Sequence, residues 1–433
     1  MSDSRIRVLS LNCWGLKYVA KNREERVEAI AHELASGDHD VIALQEIWVY
    51  SDYERVKERL ASRLPYAKFY YSGALGAGLA IFTRFPIIST SVTPYSLNGA
   101  PIDVAAGDWF VGKAAASAIV LHPILGEVHI FNTHLFAKGG EEGPEFLRAH
   151  RLVGAWEFAK LARQAAELGR YVICLGDFNS IPPTLPMSII LDHASLIDAW
   201  KVTHPGTESG PAPKTAVEAI ERFGITADSP LNTWSAGKGY AHGWGKRLDY
   251  CLYRQPQRAS YPSGQSFPSL RASDCKVIYT GHVPGYTFSF SDHFGLDATL
   301  EIEPSHPDVA SFLDTPKEMT DTHMTIAIQA WSECYRNAKN RSKQELVVFG
   351  VCLVALLAVI IGSAWLPHSW VNSIFIVFTL VVAWLATTML YHGFLYGNWE
   401  CNALQNAIED MEYHRKGLEI RKLPRSGPPN ELI

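Results

Sequence analysis

Short polar segments at the ends of apolar runs carry the side chains that can act on a phosphate ester. The segments read LNCWG, ALQEIW, FNTHL, LGDFNS, KRLDYCLY and FSDHFG, and their polar residues are Asn12, Glu46, Asn132, His134, Asp177, Asn179, Asp249, Asp292 and His293. A carboxylate at a strand end can face Mg²⁺, a hard cation that prefers oxygen ligands. Hydrolysis of a phosphate ester combines such a cation with a base that activates water, and histidine titrates in a suitable range. The set therefore predicts phosphoester hydrolysis.

Each segment taken alone also has an ordinary structural interpretation. Glu46 can be a surface or capping residue, His134 a satisfied core residue, and Asp177 the start of an Asx turn after a strand. A buried Asp249 can hold His293 in the tautomer that a general base needs. The occurrence of all the segments in this order along one chain favours the chemical interpretation.

The elements that must position these residues alternate between short β-rich runs and helical stretches. Strands are predicted at residues 6–12, 41–47, 114–121, 127–135, 171–179, 247–253, 276–281 and 294–302, with strand-like runs at 69–73 and 79–85. Helices are predicted at about 22–34, 52–64 and 144–168. This mixture predicts an α/β sandwich with sheets inside and helices outside. Residues 204–229 and 255–273 are rich in Pro, Gly and Ser, which predicts loops near the site.

The composition argues against several classes of protein. The net charge of −5 is a poor basis for binding nucleic acid, because such binders usually carry a basic face. The seven cysteines form no CxxC pair, and their odd number and apolar surroundings predict reduced, buried thiols. The N-terminal stretch lacks the basic and apolar pattern of a signal peptide, so the catalytic part is expected in the cytosol.

The C-terminal third of the chain has the pattern of a membrane anchor. Residues 346–399 contain no Asp, Glu, Lys or Arg, and the runs 346–366 and 371–390 are each long enough to cross a bilayer. A helical pair buried in a soluble domain is the alternative. Basic residues flank the first run at Arg336, Lys339, Arg341 and Lys343, which by the positive-inside rule places both ends of the hairpin in the cytosol.

Four segments follow from this division. They are a catalytic domain at residues 1–303, a linker and juxtamembrane helix at 304–345, a transmembrane hairpin at 346–392, and a C-terminal helix and tail at 393–433. The helix of the last segment, at about 398–420, is expected to continue the second span.

The series LNCWG, QEIW, NTHL, GDFN, RLDY and SDH resembles the DNase I-like endonuclease/exonuclease/phosphatase superfamily over residues 5–303. Within it, the chain resembles the neutral sphingomyelinases and the fungal inositol phosphosphingolipid phospholipases C, through LNCWGL, GDWFVGKA and the two-span hairpin. The resemblance implies a four-layer DNase I-like α/β sandwich. Trp14 stands where AP endonucleases have Asp, and GKRLDY replaces the 5-phosphatase signature PAWCDR, which argues against those branches.

The resemblance also implies roles for the polar residues. It implies that Glu46 binds Mg²⁺ with Asn12 and Asp292 nearby, and that His293, oriented by Asp249, is the general base.

For the phosphate itself, the resemblance implies that Asp177 and Asn179 position the attacking water and the phosphate. His134, beside Asn132, would stabilise the pentavalent oxyanion or assist the leaving alkoxide.

GDWFVGK resembles a P-loop-like segment of the same subfamily, although it is no Walker A motif. It supplies Asp108 and Lys113, and the lysine would offset phosphate charge or meet an anionic lipid outside the catalytic centre. A solvated lysine at the start of a strand is the ordinary alternative. The apolar stretch 85–110, with Trp109 and Phe110, is expected either to enter the membrane interface or to lie in the core.

The expected activity is that of a membrane-bound, Mg²⁺-dependent phosphodiesterase that cleaves inositol phosphosphingolipids on the phospholipase C side to release ceramide. Alternatives are sphingomyelin as substrate, a membrane-tethered nuclease or phosphatase, and a scaffold that has lost catalysis. The expected partners are the phosphosphingolipid and an anionic phospholipid activator, with no nucleic acid, and a homo-oligomer stays open by analogy. The expected location is the endoplasmic reticulum or mitochondrial outer membrane.

Overall fold

The computed structural model describes residues 3–104, 107–139, 143, 145–207, 210–235, 243–257, 267–304, 317–365, 368 and 370–422. The chain divides into two compact units. The first contains residues 1–99, 104–143 and 150–319, and the second contains residues 100–103, 144–149 and 320–433. The predicted segment boundaries, with the catalytic part ending at 303, stay a prediction.

The first unit is built on two mixed β-sheets. In the described residues the strands are β1 (Arg5–Asn12), β2 (Val41–Gln45), β3 (Tyr66–Tyr70), β4 (Leu79–Thr83), β5 (Ile87–Pro94), β6 (Ala114–His122), β7 (Gly126–His134), β8 (Tyr171–Asp177), β9 (Ile197–Asp198), β10 (Asp249–Arg254), β11 (Ser269–Ile278) and β12 (Gly295–Glu303). Among these, the first sheet has the order β11-β12-β1-β2-β4-β3 and the second β5-β6-β7-β8-β10-β9. The pairs β1–β2 and β7–β8 are parallel, and the other neighbours are antiparallel.

The helices are α1 (Arg23–Ser36), α2 (Tyr50–Leu60), α3 (Asp108–Val111), α4 (Glu145–Glu167), α5 (Leu185–His193), α6 (Ala199–Thr203), α7 (Ala216–Phe223), α8 (Asp321–Gly362), α9 (Val371–Leu390) and α10 (Gly397–Lys422). In the first unit α1 and α2 cover the outer face of the first sheet. Phe158 of α4 packs against Phe131 of the second sheet, with ring centroids 5.8 Å apart.

Alternation along the strands decides which side chains enter which layer of the core. In β1, Ile6 and Val8 belong to the apolar cluster between the sheets, which also contains residues of β6, β7 and β8. Leu9 and Leu11 belong to the apolar cluster that α1 and α2 complete on the other side. Helix, sheet, sheet and helix are thus stacked, and the DNase I-like four-layer α/β sandwich that the sequence predicted is confirmed.

The second unit contains two long apolar helices. Helix α8 continues through a short 3₁₀ turn at Ser363–Trp365, and α9 continues through a π-helical turn at Tyr391–Tyr396 into α10. Cys352 of α8 packs against Val382 and Ala386 of α9. Both helices are long and apolar enough to cross a membrane by length and composition, with mean hydropathy of 2.9 and 2.2 in their most apolar windows. The expected hairpin and the continuation of the second span into a C-terminal helix agree with this arrangement.

Two predicted loops contain regular structure. Residues 204–229 contain α7, whose cap has the local form T-x-x-E: Thr215 accepts from the Glu218 backbone N–H at 3.1 Å. Within 255–273, a strand already begins at Ser269, and it ends at Ile278 instead of extending to 281. A bulge between Ala272 and Asp274 interrupts the alternation of buried and exposed residues along this strand. The sequence therefore lacked the two-residue period by which the strand could have been predicted.

Three other predictions meet the structure differently. The stretch 85–110 begins with a strand that sequence reasoning did not place, β5, and it is neither wholly core nor wholly exposed: Tyr95 and Leu97 are buried, whereas Val104 is 69% exposed. Trp109 and Phe110 are half-buried. The predicted linker 304–316 lies, apart from its first residue, outside the described residues, and the juxtamembrane helix and first span form one continuous helix, α8.

Candidate active site

The second sheet places three of the predicted residues in one row. His134 ends β7, Asp177 ends β8 and Asp249 begins β10, and strand pairing sets His134 opposite Asp177 and Asp177 opposite Asp249. Neighbouring strands lie about 4.8 Å apart, so this register alone brings an imidazole and two carboxylates together. All three side chains are buried.

The first sheet contributes Asn12 at the end of β1 and Glu46 directly after β2. The two parallel strands end together, because Asn12 pairs with Gln45. Glu46 has a φ of 54°, a left-handed conformation that non-glycine residues rarely adopt. The Gly15 backbone N–H donates to the Glu46 carbonyl at 2.9 Å, and a Cβ at position 15 would lie 2.4 Å from that oxygen. Only glycine permits this close approach, which aims the Glu46 side chain at the second sheet.

Asn12 joins the two halves of the site. Its side-chain nitrogen donates to Glu46 Oε1 at 3.0 Å and to Asp177 Oδ2 at 3.1 Å. Its side-chain oxygen, Oδ1, accepts from the Trp14 backbone N–H at 3.0 Å. In this orientation the side-chain nitrogen faces both carboxylates and orients them, and a role of Asn12 at the metal stays a prediction.

His293 and Asp249 form a buried pair. His293 Nδ1 lies 2.8 Å from Asp249 Oδ2, and Nε2 lies 3.8 Å from Asp177 Oδ2. Burial lowers the pKa of His293, but the attraction of Asp249 and Asp177 outweighs it, so the pKa is raised well above its usual value. This geometry orients the ring, with Nδ1 held by Asp249 and Nε2 directed toward Asp177.

A buried cation stands beside the second histidine. Lys113 Nζ lies 3.0 Å from His134 Nε2 and 3.0 Å from Asp108 Oδ1, and it donates to the Leu135 carbonyl at 2.9 Å. Burial and the charge of Lys113 lower the pKa of His134 well below its usual value, so this imidazole is neutral near pH 7. Lys113 is 2% exposed, which excludes the solvated alternative and a place outside the catalytic centre in this arrangement.

Asn179 follows the Asp177 turn. Its backbone N–H donates to Asp177 Oδ1 at 2.9 Å, and its side-chain amide donates to the Leu135 carbonyl at 2.9 Å. Its φ of 47° is again left-handed, as Asn tolerates more readily than most residues. The turn thus fixes the Asp177 carboxylate relative to β7.

A cavity of about 700 Å³ opens over this edge of both sheets. The predicted residues that line it are Glu46, Asp108, Lys113, His134, Asp177, Asn179, Asp292 and His293. Asn12 and Asp249 stand behind this lining and act through the residues that they contact. The structure therefore brings together the polar segments that are scattered over the sequence.

Asn132 does not reach this cavity. Its amide donates to the Leu44 and Ala80 carbonyls of the first sheet, both at 2.9 Å, and its own oxygen accepts from Gln45 Nε2 at 2.8 Å. The sequence placed it beside His134 at the phosphate. In the structure it is a fully buried tie between the two sheets.

The carboxylates at the cavity fit a divalent cation. Burial, and next the charge of Asp292, raise the pKa of Glu46 to about 7, and burial raises the pKa of Asp177 to about 6. Like charges crowded in a low-dielectric site are unstable unless a cation offsets them, and hard oxygen donors suit a divalent ion. Side-chain atoms of Asp177, Asp249 and His293 also lie within 4.8 Å of one another, close enough to bind a metal ion together. His293 Nδ1 and Asp249 Oδ2 already contact each other at 2.8 Å, however, which leaves these two atoms engaged.

Sequence reasoning missed several supporting residues. Arg26 of α1 is fully buried and donates to the carbonyls of Cys13, Trp14 and Phe290 at 2.7–3.0 Å, which holds the segments after β1 and before Asp292. Ser291 adds a hydrogen bond to the Asn12 carbonyl at 2.6 Å. The available sequence signal was Arg26 itself, because it lies where the apolar spacing of α1 predicts a core residue. Sequence reasoning also assigned no role to Gln45 and Trp48, which lie near Glu46 in ALQEIW.

Comparison with known proteins agrees with this geometry. Residues 9–293 match the model of the Endonuclease/Exonuclease/phosphatase family. The chain is 34% identical to an inositol phosphosphingolipids phospholipase C of Schizosaccharomyces pombe, over 94% of this chain and 93% of the relative, and 31% identical to the protein of that name in Saccharomyces cerevisiae, over 96% and 92%. It is 28% identical to human sphingomyelin phosphodiesterase 2, over 94% of this chain and 91% of that protein. With a matched catalytic fold and relatives similar over nearly their whole length, the chain belongs to the Endonuclease/Exonuclease/phosphatase family.

Proposed function

We propose that this phosphodiesterase is membrane-bound and Mg²⁺-dependent, and that it hydrolyses inositol phosphosphingolipids to ceramide and the phosphorylated head group. The observation that carries the proposal is the convergence of Glu46, Asp177, Asp292 and His293 on one cavity. The two fungal relatives that match over most of their length are named for this substrate class and support it. The human relative makes sphingomyelin the competing substrate.

Mg²⁺ held by Glu46 and Asp292, with Asp177 beside them, would gather negative charge on the phosphate oxygens. The hydrogen bonds of Asn12 keep two of these carboxylates in place. Asp249 and next Asp177 raise the pKa of His293, and a cation that offsets the charge of Asp177 and Asp292 would lower that pKa toward its usual value.

Water activation falls to His293. With its Nδ1 proton donated to Asp249, Nε2 is the nitrogen that can take a proton from water. Asp177, 3.8 Å from Nε2, lies where it can orient that water.

Departure of the ceramide oxygen falls to the His134 and Lys113 pair. Lys113 can only donate hydrogen bonds, so a neutral His134 accepts from it at Nε2, 3.0 Å away. The ammonium held in this way would supply the positive charge that the leaving oxygen needs. Both groups are fixed in place before substrate arrives, which is how charge that develops in a transition state is best stabilised.

The membrane part of the proposal rests on α8 and α9. The exposed basic residues near the first span are Arg336, Lys339 and Lys343, whereas Arg341 pairs with Glu400. Exposed juxtamembrane cations attract anionic lipids, so we propose activation by phosphatidylserine or a cardiolipin-like lipid. The same basic residues support cytosolic termini by the positive-inside rule. A homo-oligomer stays a proposal by analogy with other two-span anchors, and residence in the endoplasmic reticulum or mitochondrial outer membrane stays a proposal.

A head-group release assay on detergent micelles tests the function. The full chain is given inositol phosphoceramide, sphingomyelin or supercoiled plasmid, with Mg²⁺ or with EDTA. We expect ceramide from inositol phosphoceramide with Mg²⁺ alone, and no release from the Asp177→Ala and His293→Ala variants. Plasmid nicking without lipid turnover would show instead a tethered nuclease.

A further inference from the structure

We propose that Lys246 and Asp228 form a head-group subsite that binds adjacent hydroxyls of a polyol and selects it over phosphocholine. The inference rests on the proposed function, which it deepens by assigning the choice of head group to two residues. Lys246 opens the KRLDYCLY segment but had no predicted role, and Asp228 lies outside the polar segments from which the chemistry was predicted. Both line the cavity that contains the catalytic groups.

The pair stands open to the cavity. Lys246 Nζ lies 2.9 Å from Asp228 Oδ2, and the two side chains are 43% and 25% exposed. By contrast, Lys113 on the same cavity is almost fully buried and contacts His134. Because both side chains are partly exposed, a ligand can reach Lys246 and Asp228 without the burial of a bare charge.

Backbone pairing fixes this subsite relative to the general base. The backbone groups of Lys246 and Ala227 exchange hydrogen bonds at 2.8 and 3.0 Å, and Ala227 also forms a β-bridge with His293. The Phe294 N–H donates to the Thr226 carbonyl at 2.7 Å. A ligand held by the subsite would thus be held at a set distance from His293.

Backbone strain also marks the position. Asp228 has a φ of 55°, in the left-handed region that costs free energy for a residue with a side chain. Such strain persists where surrounding structure enforces it, and it is concentrated at functional sites. Here the enforced conformation places a carboxylate beside Lys246 on the cavity wall.

The chemistry of the pair suits a hydroxyl-rich head group. An ammonium group only donates hydrogen bonds and a carboxylate only accepts them, whereas a hydroxyl does both. One hydroxyl of a cyclic polyol can accept from Lys246 while its neighbour donates to Asp228, and both bonds are charge-assisted.

Phosphocholine has no pair of neighbouring hydroxyls to bind Lys246 and Asp228. Its trimethylammonium has no N–H and is recognised best by the faces of aromatic rings. Of the described residues that line the cavity, only Trp48 carries a Phe, Tyr or Trp ring. The Lys246–Asp228 wall therefore offers a polyol two charge-assisted hydrogen bonds and offers the trimethylammonium none.

The test compares Lys246→Met and Asp228→Asn with the full-length wild type in detergent. Asn tolerates the left-handed conformation at 228, and Met keeps most of the lysine stem, so both variants are expected to fold. The matched control is Lys276→Met on β11, an exposed lysine whose ammonium lies 3.4 Å from Asp274 and which is not part of the cavity lining.

We expect Lys246→Met and Asp228→Asn to lower kcat/KM for inositol phosphoceramide by roughly tenfold or more, as loss of a charge-assisted hydrogen bond predicts. Turnover of sphingomyelin should fall by less than about threefold or rise, and Lys276→Met should change neither substrate. An equal fall for both lipids would mean that Lys246 acts on the shared phosphate, and unchanged ratios would mean that the pair selects nothing. Either result overturns the subsite.

A binding measurement separates this inference from the proposed function. Calorimetry with soluble myo-inositol 1-phosphate and with phosphocholine needs no turnover. If wild type cleaves neither lipid yet binds inositol phosphate in a manner that depends on Lys246, the proposed function fails and the subsite stands. If wild type binds the two head groups equally, the subsite is refuted whatever the lipid assay gives.

Discussion

Replacement of Asn132 by leucine discriminates between two roles for this residue. The resemblance implied a place beside His134 at the phosphate, whereas the structure shows a tie between the sheets. Leucine has a similar shape but no amide. The change would leave the Leu44 and Ala80 carbonyls and the Gln45 side-chain amide without the partners that Asn132 gives them.

The expected loss of stability follows from these three contacts. Gln45 Nε2 keeps the Ser10 hydroxyl and the Ala43 carbonyl as acceptors, so the loss comes mainly from the two carbonyls. A buried polar group left without its partner costs about 1–3 kcal/mol, so two of them cost about 2 kcal/mol or more. This is a large part of the 5–15 kcal/mol that is typical of a folded protein. At roughly 2 °C per kcal/mol for a unit of this size, the unfolding midpoint should fall by about 4 °C or more.

Thermal unfolding of the full chain in detergent, followed by tryptophan fluorescence, measures the midpoint. His134→Gln is the matched variant, because it changes a cavity residue two positions along the same strand. We expect Asn132→Leu to lower the unfolding midpoint more than His134→Gln does. We expect His134→Gln to lower turnover while its unfolding midpoint stays near that of the wild type. An Asn132→Leu protein with an unchanged midpoint and a hundredfold loss of turnover would refute the tie and restore the catalytic role.

Three further predictions concern the base, the metal and acid stability. Asp249→Asn should lower kcat about 10³-fold with little change in KM, because the ring loses the carboxylate that orients it; a loss confined to KM would contradict this. Glu46→Gln should shift the Mg²⁺ titration of activity about tenfold or more to higher concentration, and an unmoved curve would remove Glu46 from the metal site. Asp297 is buried, but hydrogen bonds from His39 and Arg7 outweigh burial and lower its pKa to about 2. About 2 kcal/mol of stability is therefore present above pH 4 and lost as the pH falls to 2, and acid denaturation of Asp297→Asn should lack that component.

Much of the site could be predicted from sequence because strand geometry is local information. A polar residue directly after an apolar run marks a strand end, and parallel neighbours end at the same edge of a sheet. His134 and Asp177 were predictable on this basis, and strand pairing indeed sets them opposite each other. The T-x-x-E cap at Thr215 was equally readable, and its helix was missed only because the composition of the stretch favoured a loop.

Contacts between the sheets were not predictable in the same way. Asn132 and His134 lie two positions apart on one strand, and the sequence cannot tell which of them the opposite sheet covers. The orientation of the Asn12 amide depends likewise on two carboxylates from different sheets. Lys246 and Asp228 meet because Ala227, next to Asp228, pairs with Lys246 as well as with His293. Packing of distant segments decides all three cases.

The charges of the cavity connect the metal, the lipid phosphate and the head group in one argument. Of its described lining, Glu46, Asp108, Asp177 and Asp292 outnumber the cations Lys113 and His293, while Asp228 and Lys246 offset each other. A phosphate that enters such a cavity alone meets net repulsion, so its binding must depend on a divalent cation that reverses the local charge. A neutral polyol, held by a pair whose own charges cancel, adds affinity without disturbing that balance. This separation lets the catalytic groups act on any phosphosphingolipid while the Lys246–Asp228 wall decides which head group stays long enough to react.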